Sequence, residues 1–324
     1  MLKSDPTPWL LAQEGLAAVR ARRLLGLERA GDAGAVRAVV RKHERSQHAD
    51  GSFGGSVLRT AGVLSLLDDL RAGTAGVVER GADYLLGVLE AQPGYGRAKR
   101  LRPGALTTPH DLCGFFGPYS ARDDAEVVKR GAQEMNAYRE FEPLLGPKSP
   151  VRWERRGSFD RVGPGSCYSW GLIPLCYVVE ALCRAGRSGD ARLKPAVNVV
   201  LGAQRESGGW CRNLGGGTPC SIHGLRAIGA HPRLRTGPSA GRALAHMRST
   251  QQARRGGAAN WWRGTGVFAA IQAAAAFDLL AAQAIIRDGI ATVAPRQRRN
   301  GSFGAPCAVE RVAAVLRGVK ALGS

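Results

Sequence analysis

Three stretches of the chain share one pattern: Gln47 opens QHADGSF, Gln204 opens QRESGGW and Gln297 opens QRRNGSF. Each reads Gln, three residues, Gly, one residue, aromatic. Degenerate copies begin at Gln92 (QPGYG) and Gln251 (QQARRGG). The spacings are 45 residues from 47 to 92, 47 from 204 to 251, and 46 from 251 to 297. The 112 residues from 92 to 204 equal two such periods plus an insertion of about 20 residues. A period of this length is one helix pair, so the chain holds about six.

The segments between the turns agree. LRTAGVLSLLDDLRAG and VERGADYLLGVLEAQ carry successive helical patterns, as do SIHGLRAIGA and GRALAHMRSTQQ. No stretch alternates well enough to predict a strand. The motif glycines Gly51, Gly208 and Gly301 make tight turns that most side chains would obstruct. The Gln amide can satisfy backbone groups at helix ends, and Phe53, Trp210 and Phe303 pack between neighbouring units. The prediction is an all-α chain, a single domain over 1–324 folded as an α/α toroid of about six helix pairs, with an insertion at roughly 104–164.

Composition fits close-packed helices. There are 44 Gly, and aromatics make up only 6%. Such a core relies on near approach of backbones rather than on bulky side chains. The net charge is +20, from 46 basic and 26 acidic residues. That excess reads either as a surface for anionic partners or as general enrichment in Arg. No zinc-finger, RRM or helix-turn-helix signature points to nucleic acid. The longest apolar run, Ala269 to Ile286, is broken by Gln272, Asp278 and Gln283, so no bilayer span is expected. The seven cysteines are an odd number, and the first twenty residues carry no secretory pattern. Reduced thiols in the cytoplasm are expected, with peripheral membrane contact left open.

The repeated motif resembles the QW-type repeat of squalene and oxidosqualene cyclases, and the helix pairs resemble those of protein prenyltransferase β subunits. The resemblance covers nearly the whole chain, and its length matches one toroid. GSCYSWGLIPL at 165–175 resembles the prenyltransferase zinc segment, in which Asp-x-Cys-Tyr opens an inner helix. Cys167 and Tyr168 match it, and Gly165 stands where the family has the ligand Asp. Cys220 falls near the family's ligand His, and His223 lies one helical turn on. The resemblance implies Zn²⁺ held by Cys167, Cys220 and His223, with Cys211 as a fourth ligand. It also implies that Tyr168 contacts an isoprenoid diphosphate. Arg155, Arg156 and Arg161 lie just before it, and Arg161 joins Tyr168 as the candidate catalytic pair.

Other candidate groups are weaker. His110, Asp111 and Cys113 form a second potential ligand set. Asp123, Asp124 and Glu126 lack the spacing of an Asp-rich Mg²⁺ motif, and Asp68–Asp69 lacks it too. Both pairs read as acids on helix surfaces. No DxDD motif supplies a cyclase's protonating acid, and Asp278 is expected at a helix end or polar face. Cys176 and Cys183 read as core residues. No Walker A, HExxH or GxSxG motif occurs.

Two functions follow as expectations. One is a prenyltransferase- or terpene-cyclase-like enzyme holding an isoprenoid in a central apolar cavity. The other is a non-catalytic toroid that binds an apolar or anionic small molecule, or a protein partner, with structural zinc or none.

Overall fold

In a computed structural model, the structure describes residues 2–73, 75–92, 94–102, 105, 140–144, 172–210, 219–249, 252–253, 259–260, 266–305 and 307–323. Among these the chain is helical. The helices are α1 (Thr7–Ala12), α2 (Leu16–Leu25), α3 (Asp32–Ser46), α4 (Val57–Asp69), α5 (Ala75–Glu90), α6 (Tyr95–Ala98), α7 (Leu172–Arg184), α8 (Lys194–Gly202), α9 (Pro219–Ala230), α10 (Pro238–Ser249), α11 (Gly266–Ala274), α12 (Leu280–Val293) and α13 (Ala308–Gly323). The sheet among the described residues is one antiparallel pair, β1 (Gln252–Ala253) with β2 (Ala259–Asn260). No described helix is long and apolar enough to cross a membrane.

The repeat turns are superposable in their bonding. Gly51, Gly208 and Gly301 have φ of 87°, 89° and 90°, a region that side chains disfavour. Gln47 Nε2 donates to Gly51 O and to Val77 O, both at 3.0 Å. Gln204 Nε2 donates to Gly208 O at 3.0 Å and to Ser239 O at 2.9 Å. Gln297 Nε2 donates to Gly301 O at 3.1 Å and to Ser4 O at 2.8 Å. One amide therefore closes its own turn and clasps the start of another segment: α5, α10 or the stretch before α1. The turn approaches that segment so closely that a Cβ on Gly208 would lie 2.0 Å from Arg242 O. Gln92 departs from the pattern, since its Nε2 bonds back to Val88 O of the preceding helix, α5, at 2.8 Å. Gln251 lies outside the described residues.

The motif aromatics anchor the following helices. Phe53, Trp210 and Phe303 are all buried. Phe53 N donates to Thr60 Oγ1 at 3.0 Å, and Ser56 Oγ caps α4 by accepting from Arg59 N at 2.9 Å. Trp210 covers Gly224, where a Cβ would come within 2.4 Å of its ring. Small residues thus admit large ones, as the Gly-rich composition predicts.

Packing order follows chain order. α2 touches α4, α4 touches α7, α7 touches α9, α9 touches α11, α11 touches α13, and α13 touches α2. α3, α5, α8, α10 and α12 each pack on the helix that precedes them, and α1 packs on α13 and α2. α7 is buried from Leu172 to Cys183 because it contacts α4, α8 and α9. Cys176 and Cys183 belong to that core, as expected. A helix apolar on nearly all sides has no wet face, and each buried leucine there stabilises the fold by about 2 kcal/mol.

Ala269–Ile286 holds two helices, parted between Ala274 and Leu280. Phe277 turns inward at the break, against Gly229. Asp278 sits exposed in the link, at a helix end as the sequence implied.

Candidate functional site

The sequence of α7 carries two ionisable residues in an otherwise apolar run, Glu180 and Arg184, four apart and so on one face. In α9 Arg226 is the single Asp, Glu, Lys or Arg, three residues after His223. Buried charge of this kind needs partners, and the structure supplies them from three other segments, α2, α4 and residues 140–144. Arg20 of α2 donates from Nε to Asp69 Oδ2 of α4 at 2.6 Å. Arg184 also bonds Asp69, and its Nε donates to Asp68 Oδ2 at 2.8 Å. Arg226 donates to Glu180 Oε1 from NH2 at 2.8 Å and from Nε at 3.1 Å. It also grips Glu142 with two bonds, NH1 to Oε2 at 2.9 Å and NH2 to Oε1 at 3.1 Å.

Asp69 corrects an expectation. Asp68 does lie at the surface, 44% exposed, but Asp69 is 5% exposed and holds two arginines. The last turn of α4 points one acid out and its neighbour in, and only the packed structure distinguishes them. Burial alone would raise the Asp69 pKa. Arg184 and Arg20 outweigh it and hold the carboxyl well below the usual range. For Arg226, burial disfavours the charge, yet Glu142 and Glu180 keep the guanidinium firmly protonated.

Arg317 of α13 differs from these. It is half-buried and makes no hydrogen bond or ion pair with any described residue. Burial lowers its pKa, and repulsion by Arg184 adds to this, with Asp69 opposing. Arg317 and Arg20 face a cleft of about 220 Å³ between α2, α4, α11 and α13. The cleft wall is apolar along Leu16, Leu24, Leu66 and Ala313, Lys42, Asp69 and Glu310 also line it, and residues 140–144 close one side. A guanidinium with no partner among the described residues, beside an apolar wall, can take an anion attached to a greasy chain.

The predicted zinc and catalytic residues are less visible. Arg161, Cys167, Tyr168 and Cys211 lie outside the described residues, as do His110, Asp111, Cys113, Asp123, Asp124, Glu126, Arg155 and Arg156. The backbone of Cys220 is helical in the first turn of α9, but its side chain lies outside the described set. His223 is 1% exposed, and burial, then Arg226, holds its pKa well below the ordinary value. It is therefore neutral near pH 7, the form that binds metal. Among the described residues, no three His, Cys, Asp or Glu side chains group to hold an ion.

The sequence reading missed Arg20, Glu142, Glu180, Arg184, Arg226 and Arg317. The available signal was an ionisable residue on an apolar helix face, as in LCYVVEALCR.

No family model matches the chain, and no curated protein matches it. The chain is similar to a protein from Actinoplanes of known crystal structure. The two share 18% identity over 95% of this chain and 90% of that one, with a TM-score of 0.47.

Proposed function

We propose that the chain is one α/α toroid of about six helix pairs, of the terpenoid-cyclase and prenyltransferase kind, and that it binds an isoprenoid diphosphate in its interior cleft. The contact order of α2, α4, α7, α9, α11 and α13, which returns to its start, supports the ring. Gln297 supports it again by bonding Ser4 as the other repeats bond the next outer helix. The observation that carries the ligand class is Arg317, a half-buried cation with no hydrogen bond or ion pair among the described residues, beside an apolar wall. Arg20 and Arg317 receive the diphosphate, and Leu24, Leu66 and Ala313 line the path of the hydrocarbon.

Zinc belongs to this reading as a second element. Cys167, Cys220 and His223, with Cys211, would hold it, and His223 lies three residues before Arg226 in the sequence. Bound there with an open position, zinc would present a thiolate to the prenyl carbon. With a closed shell it would serve the fold alone, and the chain would be a binding toroid without turnover.

Titration calorimetry tests the ligand class. Farnesyl diphosphate should bind more tightly than farnesol or inorganic pyrophosphate. Arg317→Gln should weaken farnesyl diphosphate by about tenfold to a hundredfold and leave farnesol unchanged. Equal binding by the variant and the native chain would defeat the reading.

A further inference from the structure

We propose that Arg226 is an anion site that the chain itself fills. Glu142 stands where paired oxygens of a ligand's phosphate bind, and binding expels residues 140–144. This rests on the interior cleft being the ligand site.

Glu142 reaches Arg226 from 84 residues away. Both of its oxygens engage the guanidinium side by side. That fork fits a phosphate as well as a carboxylate. Arg226 keeps a separate hold on Glu180 through Nε and NH2. The helices alone therefore aim the guanidinium, with or without Glu142.

The segment resembles the proposed ligand in its chemistry. An apolar ring, Phe141, sits next to an anion, Glu142, and both are buried. Phe141 fills a recess left by Gly62 of α4, where a Cβ would lie 2.3 Å from its ring. Its carbonyl accepts from Arg20 NH1 at 3.0 Å. The neighbouring ion pair of Glu140 with Arg59 is half exposed, so it holds the segment weakly.

Charge also favours exchange. Glu142 and Glu180 are the two carboxylates that Arg226 holds, and departure of Glu142 leaves its guanidinium with Glu180 and room for an incoming anion. Residues 140–144 border the cleft. Their departure would join Arg226 to the space that Arg20 and Arg317 already line.

The test uses the full chain and two probes, inorganic pyrophosphate and farnesyl diphosphate. Glu142→Gln should bind pyrophosphate at least about tenfold more tightly than the native chain, because no resident carboxylate competes. Adding Arg226→Gln should abolish that gain. In the native chain, saturating pyrophosphate should speed hydrogen–deuterium exchange across 140–144, a readout that stands even if Glu142→Gln does not fold. Unchanged affinity in Glu142→Gln, a gain that survives Arg226→Gln, or unchanged or slower exchange at 140–144 would overturn the proposal. A pyrophosphate gain without any preference for farnesyl diphosphate would keep this site and defeat the isoprenoid reading. Tight farnesyl diphosphate binding indifferent to Glu142 would do the reverse.

Discussion

Replacing Gln204 by Ala isolates the device that repeats along the chain. Gln204 is buried, donates to Gly208 O and Ser239 O, and accepts from Arg242 NH2 at 3.0 Å. Each neutral bond contributes about 1 kcal/mol net, and the more exposed Arg242 bond about 0.5 kcal/mol. The expected loss is therefore about 2.5 kcal/mol. Gln92→Ala is the control, because Gln92 donates one bond, back to the end of the helix it follows. Its loss should be about 0.5–1 kcal/mol. Gln297→Ala should resemble Gln204→Ala, since its amide spans Gly301 and Ser4 and accepts from Lys3 N at 2.7 Å. Urea unfolding at unchanged slope measures all three. If Gln204→Ala costs no more than Gln92→Ala, the motif amide is not a clasp between units.

Three further outcomes are expected. Gly208→Ala should cost well over 2 kcal/mol, because a Cβ would clash with Arg242 O, whereas Gly15→Ala, at nearly the same φ with open space around it, should cost about 1 kcal/mol; equal losses would show that the close approach is unimportant. Asp69→Asn should destabilise by about 3–5 kcal/mol in the same unfolding assay, since Arg20 and Arg184 lose their shared buried partner, and a loss under 1 kcal/mol would contradict the charge arrangement. His223, held neutral by burial, has a folded pKa below its unfolded value, so its contribution is complete above pH 6.5. It should be lost as pH falls from there toward the folded pKa, at up to about 1.4 kcal/mol per pH unit, and His223→Gln should flatten that slope.

The helical class was legible because the repeat is periodic and local. A Gln and a Gly at fixed separation report their own turn, whichever helix they clasp. The degenerate copy at Gln92 shows the limit, since QPGYG preserves the spacing without the bonding. The charged cluster was not legible for a different reason. Asp68 and Asp69 are adjacent and chemically alike, yet one meets solvent and the other two arginines from α2 and α7. Only tertiary packing decides which face of α4 is inside. Glu142 was still harder to foresee, because it pairs with Arg226 across 84 residues. Glu180 and Arg184 did leave a trace, as two charges one turn apart on a helix buried on nearly all sides.

The location of a bound prenyl diphosphate tests the central claim most directly. A crystal structure with farnesyl thiodiphosphate, a slowly reacting analogue, would settle it. The account predicts diphosphate oxygens within about 3.5 Å of Arg20 and Arg317, with the hydrocarbon along Leu24, Leu66 and Ala313. An analogue bound elsewhere, or an interior cleft left empty at saturating concentration, would contradict it.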